Sequence, residues 1–130
     1  MAHSDIIGIG VDTEQIERFA QKPFSENERF YRKLFTQQEI DYCTARKNPY
    51  PHFTARFCAK EALAKALPEA RRPGWKEVAV LNRENGEPFL HFDISDNEKA
   101  RYIGSLRFHL SLSHDNTGAI AFIVVTGNRA

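Results

Sequence analysis

The sequence predicts an α+β fold, an antiparallel sheet packed against one long helix with additional short helices, in a single domain over residues 1–130. Three observations carry that prediction. The apolar segment "DIIGIGV" near the start has strand spacing, a continuous helical stretch from about Tyr50 to Leu67 fills the middle, and most of the second half reads as strand. A chain of 130 residues with 42% hydrophobic content suits one compact core and leaves no room for a separate cofactor domain.

In "DIIGIGV", Ile7, Ile9 and Val11 point one way while Gly8, Gly10 and Asp12 point the other. "TEQIERFA" then carries Ile16, Phe19 and Ala20 at helical spacing, so a helix is expected to follow Asp12 directly. Two further segments open with capping boxes, Ser25 with Glu28 and Thr36 with Glu39, which mark short helices near "ENERFYRKLF" and "QQEIDYC". The prolines of "NPYPHF" start the long helix, and Pro68 obstructs it.

Beyond it, "EVAVL" and "PFLHF" surround "NRENGE", whose Asn85-Gly86 pair is a turn signal. Ser95 with Glu98 starts one more short helix that Gly104 can close. "LRFHLSLSH" places Phe108, Leu110 and Leu112 on one face, "DNTG" supplies a turn, and "AIAFIVV" returns as a nearly all-apolar strand.

Charge and cysteine usage exclude several function classes. Eighteen basic residues face 17 acidic ones, and a formal charge of +1 predicts no global attraction to nucleic acid or to an anionic membrane. Anion recognition, if present, is local. Cys43 and Cys58 form no CxxC pair and stand among no metal-spaced histidines, which suits reduced thiols better than a disulfide scaffold. "MAHSDIIGIG" has no basic region followed by a long apolar stretch, and no apolar run approaches membrane-spanning length, so a cytoplasmic protein is expected. The early glycines do not form GxGxxG, which weighs against a dinucleotide fold.

Asp12 admits two readings. As an N-cap it heads a capping box with Gln15 and offsets the helix dipole. As a ligand it uses the glycines: Gly8 and Gly10 strip side chains from the face it shares, so another backbone, helix or ligand can approach closely. Glu61 in "RFCAKEALAKAL" is also double-valued. It lies between Phe57 and Cys58 on the helical wheel, an awkward place for a solvating charge, and it precedes Lys65 in the favourable i, i+4 order. Together the two carboxylates suit one hard cation of the magnesium type, which leaves positions for water and phosphate oxygens; zinc would call for histidine or thiolate ligands.

The segments "GIGVDTEQIERF", "RFCAKEALAKAL" and "LSLSHDNTGAIAFIVV", in this order in so short a chain, resemble the holo-[acyl-carrier-protein] synthase family, the small bacterial 4'-phosphopantetheinyl transferases. The resemblance covers nearly the whole chain. It implies the family's fold, transfer of 4'-phosphopantetheine from coenzyme A to a serine of apo acyl carrier protein with release of 3',5'-ADP, a role in fatty acid biosynthesis, and a homotrimer with sites between subunits. It further implies metal ligation by Asp12 and Glu61 with magnesium as cofactor, and catalytic roles for Asp12, Glu61 and Lys65. Coenzyme A contacts would come from Arg56, Lys65, Gly86, Pro88 and His114. Arg18 matches an arginine that contacts the carrier protein, and Lys22 extends that basic surface. Two segments depart from the family pattern: "LPEARRPGW" stands where many relatives have glycine after the KEA helix, and Glu87 replaces a common lysine.

The chemistry agrees with those residue types. Attack of a serine hydroxyl on the β-phosphate of coenzyme A builds charge on phosphoryl oxygens and on the leaving group, which a cation and Lys65 can neutralise, while Glu61 or a water accepts the proton. His114 ends its strand before a polar turn, either as a satisfied sheet-edge histidine or as a ring reaching a subunit cleft. Two other classes of function stand beside the enzyme. One is a noncatalytic carrier-protein or nucleotide-binding module of the same fold; the other is a structural trimer in which Asp12 only caps and Glu61 only pairs.

Overall fold

The computed structural model describes residues 5–128. The reading of the first four residues as part of a chain start without a targeting segment therefore lies outside the described residues. Strand β1 (Asp5–Gln15) opens the fold, followed by helices α1 (Glu17–Ala20), α2 (Glu28–Leu34), α3 (Gln37–Thr44) and the 17-residue α4 (Tyr50–Ala66). Strands β2 (Val78–Asn82) and β3 (Pro88–Phe92), helix α5 (Asn97–Gly104) and strands β4 (Arg107–His114) and β5 (Gly118–Gly127) complete it. The strands form two antiparallel sheets, a three-stranded one in the order β1-β5-β4 and the β2-β3 hairpin, and α4 packs across β1 and β5. The α+β expectation holds, with the sheet divided in two. Among the described residues no helix is long and apolar enough to cross a membrane.

Two apolar centres flank α4. One joins Ala59, Ala62, Leu63 and Ala66 of the helix to Ala121, Ile123 and Val125 of β5 and to Val78 and Val80 of β2. The other is aromatic and gathers Phe19, Tyr31, Phe35, Phe53 and Phe57. The Tyr31 hydroxyl donates within this centre to the carbonyls of Phe19 and Lys22, which satisfies the one polar atom its ring brings inside. Burial pushes the Cys43 and Cys58 thiols up to about 12, and neither forms a disulfide.

Helix α4 can lie flat on β1 because of two glycines. A Cβ added at Gly8 would stand 1.9 Å from the Ala66 carbonyl oxygen, and one at Gly10 would stand 1.8 Å from that of Ala62. The glycine face of β1 is thus the buried face, while Ile9 and Val11 point outward and remain 53% and 47% exposed.

Three capping predictions are corrected. Asp12 is no N-cap: Asp12 to Gln15 continue the ladder with β5, Asp12 opposite Ala121 and Gln15 opposite Gly118, and α1 begins only at Glu17. Pairing with β5 satisfies backbone groups that a helix start would otherwise have claimed, and so overrides the local capping signal. Ser25 does not cap α2 either. The chain makes a 3-10 turn over Phe24–Glu26, Asn27 stands at the cap with its amide donating back to the Pro23 carbonyl, and Glu28 pairs with Arg32. At α5 the cap is Asp96, one residue beyond Ser95, and it accepts from the Lys99 amide at 2.8 Å. The Thr36 and Glu39 box forms in full.

Replacing Gly10 by alanine should force β1 off α4 and cost about 3 kcal/mol in denaturant unfolding. Gly104→Ala, where an added Cβ meets nothing within 4 Å, is the matched control and should change stability little. A Gly10→Ala protein as stable as the control would contradict the packing described.

Candidate active site

Two strand residues advance about 6.7 Å and four helical residues about 6 Å, so the Gly8–Ala66 and Gly10–Ala62 contacts keep step and carry Asp12 towards the next turn of α4. That turn holds Cys58, and the long side chain of Lys65 reaches back along the helix to the Asp12 carboxylate: Nζ lies 3.0 Å from Oδ1 and 3.0 Å from the Val11 carbonyl. The Asp12 side chain is 16% exposed and that of Lys65 56%, so the aspartate is nearly fixed and the lysine reaches solvent. Glu61 is half-buried one turn before Lys65 on the same helix. Cys58, beneath them, donates to the Ala119 carbonyl; burial is the main reason its thiol holds its proton, and the carboxylates of Asp12, Glu14 and Glu61 push the same way. Three sequence-predicted residues, Asp12, Glu61 and Lys65, therefore gather around one stretch of α4. Lys65 pairs with Asp12, not with Glu61.

Glu61 also borders a cavity of about 250 Å³ whose opposite wall is the segment after α4, with Arg72, Pro73, Gly74 and Trp75. This is the "LPEARRPGW" departure. Its Trp75 ring stacks on Phe57 with centroids 5.5 Å apart and planes within 10°.

A second group of residues forms at the N-terminal end of α4. Arg56 is 3% exposed; its Nη2 donates to Asn82 Oδ1 at 2.5 Å, and its guanidinium lies 4.3 Å from the Tyr42 ring centre. Asn82 in turn donates to the Gly86 carbonyl at 3.0 Å, which ties Arg56 to the β2-β3 turn. Gly86 takes φ +91° there, a conformation that favours glycine, and Pro88 follows opposite Asn82. The Arg56 Nε is buried without a partner. His114 is exposed at the end of β4, its ring 5.8 Å from that of His52. Burial lowers the affinity of His52 for a proton, and Arg56, His114 and Arg46 lower it further. Arg46 stacks 3.9 Å from the Tyr42 ring.

Within one chain, then, Arg56, Gly86 and His114 share a basic, aromatic end of α4, two turns from the Asp12 and Lys65 contact. The sequence reading missed Tyr42, Arg46 and His52 at this end. A signal was available, since "YCTARKNPYPH" interleaves cations and rings just before the helix. At the turn itself Glu87 is paired with Arg83 at 3.3 Å, so a cation does stand there, supplied by a neighbour.

Arg18 pairs with Glu14 at 2.5 Å and rests its guanidinium 4.8 Å from the Phe57 ring centre, and Lys22 lies 4.7 Å from that of Phe30. Both heads are exposed, as are Arg29, Arg32 and Lys33 of α2.

The donor set near α4 decides which metals it suits. Among the described residues no group of three or more histidine, cysteine, aspartate or glutamate side chains could hold a metal ion. Two carboxylates without imidazole, above a thiol held protonated, match a hard cation that fills its remaining positions with water and substrate oxygens.

Residues 8–122 match the sequence profile of the 4'-phosphopantetheinyl transferase superfamily. The chain is 40% identical over 126 residues to the holo-[acyl-carrier-protein] synthase of Syntrophotalea carbinolica, covering 93% of this chain and 96% of that one. It is 42% identical over 127 residues to the enzyme of the same name from Clostridium perfringens, covering 94% and 95%. Its structure is similar to that of the Chronobacterium ammoniagenes ACPS-CoA complex, with TM-score 0.76, 26% identity and coverage of 94% and 98%. With its fold, its strand-to-helix site and these similarities in agreement, the chain belongs to the holo-[acyl-carrier-protein] synthase family of 4'-phosphopantetheinyl transferases.

Proposed function

We propose that this protein transfers the 4'-phosphopantetheine group of coenzyme A to a serine hydroxyl of an apo acyl carrier protein and releases 3',5'-ADP. The observation that carries the reading is the Asp12–Lys65 contact beside Glu61, set by the glycine face of β1 in a chain of this family. In the reaction a bond forms between the serine oxygen and the β-phosphorus, and the bond from that phosphorus to the 3',5'-ADP oxygen breaks. Asp12 and Glu61 are the residues that fit magnesium. Magnesium, when bound, supplies positive charge at the diphosphate oxygens and the leaving group. Lys65, long and solvent-reaching, neutralises phosphoryl charge once it turns from Asp12. Glu61 or a water takes the serine proton. Arg56 and Arg46 give coenzyme A phosphates a cationic end of α4, with the His52 and His114 rings as hydrogen-bonding neighbours, and the Gly86 to Pro88 turn borders it.

Purified protein incubated with apo acyl carrier protein, coenzyme A and magnesium should raise the mass of the carrier by one phosphopantetheine group, and chelation should stop it. Asp12→Asn and Glu61→Gln should each lower kcat/KM by about 100-fold while the proteins stay folded, because Asp12 caps no helix and its pair with an exposed lysine contributes at most about 1 kcal/mol. An unmodified carrier would reduce the protein to a noncatalytic binding module. The exposed Arg18, Lys22, Arg29, Arg32 and Lys33 suit an acidic carrier, although Glu14 and Glu28 offset part of that charge. Arg18→Glu should raise KM for the carrier about tenfold and that for coenzyme A less than about twofold; equal effects would misplace the docking surface.

The assembly we propose is a homotrimer, in which the outer sheet face is covered by other copies of the chain. Ile9 and Val11 on β1 and Ile120 and Phe122 on β5 share that face, each 41% to 53% exposed. Apolar surface so concentrated marks an interface, and a closed ring of three buries the same face in every copy. Val11→Lys should shift the sedimenting species from trimer to monomer; a monomeric wild type would contradict the assembly. A cytoplasmic location, with both cysteines reduced, completes the reading.

A further inference from the structure

Lys60 precedes Glu61 on α4 and points away from solvent into the side of the helix that faces α2, α3 and the segment after α4. Its side chain is 2% exposed, and all three ammonium protons are used: Nζ lies 2.9 Å from the Leu34 carbonyl, 2.7 Å from Glu39 Oε1 and 2.7 Å from the Trp75 carbonyl. Glu39, fully buried, spends its oxygens as completely, with Oε1 also accepting from the Thr36 amide at 2.8 Å and Oε2 from the Val80 amide at 2.8 Å. One buried ion pair thus ties the end of α2, the start of α3, strand β2 and the segment carrying Trp75 to a single turn of α4.

Trp75 belongs to the outer wall of the cavity whose inner wall includes Lys60 and Glu61. Other hydrogen bonds of this wall stay local: Arg71 N to the Pro68 carbonyl, Arg72 N to that of Glu69, Arg72 Nε to that of Leu67, and Gly74 N to Glu77 Oε1. The Lys60 bond to the Trp75 carbonyl is the one of these that reaches across to the interior of α4, and the stack of Trp75 on Phe57 is set beside it. A buried pair of this kind is a costly way to gain stability, since apolar side chains of similar volume serve as well or better. Its geometry has a use in fixing one position.

We propose that the Lys60–Glu39 pair is a positioning device for the site: it pins the Trp75 segment as the outer wall of the cavity beside Glu61 and so sets how firmly coenzyme A is held, without touching the reacting atoms. This rests on the reading of Glu61 as part of the coenzyme A site. Helix α4 carries Glu61 and Lys65 whether or not the wall is pinned, so loss of the pair should weaken substrate binding and spare the chemical step.

The test is the double variant Glu39→Gln with Lys60→Met, which removes both charges together and leaves neither unpaired. Trp75 is the sole tryptophan of the sequence, so its fluorescence reports the wall directly. A folded double variant should show red-shifted Trp75 emission, acrylamide quenching raised about twofold, KM for coenzyme A raised about fivefold and kcat within about twofold. Unchanged Trp75 emission and quenching would overturn the proposal, as would an unpinned Trp75 with unchanged KM for coenzyme A. If the double variant fails to fold, Glu39→Gln alone should give the same changes in smaller degree, and its absence of effect overturns the proposal equally. A wild type without transferase activity would instead sink the functional reading, and the Trp75 readout would still decide whether Lys60 pins the wall.

Discussion

The contact between the glycine face of β1 and the carbonyl edge of α4 is the constraint on which the rest of this structure depends. A strand packed on a helix usually stands off by the thickness of its side chains, about 10 Å between axes for typical packed layers. Here Gly8 and Gly10 reduce that thickness to backbone against backbone, over Ala66 and Ala62. The small side chains of α4 on this face, Ala59, Ala62 and Ala66, are the helix's half of the same arrangement. Once strand and helix are locked in step, the next inward position of β1 has to fall beside the turn holding Cys58, within reach of the Lys65 side chain. A carboxylate at that position meets Lys65 from a helix that cannot slide away, and Glu61 lies one turn before that lysine on the same helix. The opening glycines therefore do structural work whose product is the placement of Asp12.

The same packing explains the outward face. Because the glycine side of β1 is turned inward, Ile9 and Val11 are turned out, whereas Ile7, expected on their face, packs against the core at the bulge between Ile6 and Gly8; β5 repeats the pattern with Ala121 and Ile123 inside and Ile120 and Phe122 outside. The close approach that builds the candidate site is also what leaves an apolar sheet face to be covered. Site and proposed assembly are two results of one choice of face.

Much of this was legible in the sequence, and the failures are informative. The boundaries of α4 are marked by prolines at both ends, which act through fixed backbone geometry whatever surrounds them, and the helix runs over Tyr50–Ala66 as the sequence indicates. The hairpin turn at Asn85-Gly86 is legible for the same local reason, and Gly86 takes the φ that favours glycine. The errors fall where a local signal competed with a distant partner. Asp12 to Gln15 resemble a helix cap, but β5 lies more than 100 residues away and its ladder took the segment for the sheet. The close approach at Gly8 and Gly10 was legible from glycine parity; that its partner is α4 was one option among several. Lys60 and Glu39 were invisible as a pair, because a buried ion pair joins residues 21 apart through a shared interior. The sequence marks Glu39 only as a cap residue, which it is, and Lys60 sits on the Phe53 and Phe57 side of the helix, where a cation is an anomaly that signals a buried partner.

The proposed site has Asp12, on the strand, and Glu61, on the helix that the glycine contact locks to it, hold one divalent cation beside the coenzyme A phosphates. Manganese stands in for magnesium and broadens nuclear magnetic resonance signals near it. Substoichiometric manganese, added to isotope-labelled protein in the presence of coenzyme A, should broaden the amides around residues 11–13 and 60–62 together and leave α5 sharp, and Asp12→Asn should abolish both effects. Broadening confined to other parts of the chain, or unchanged in Asp12→Asn, would contradict the account.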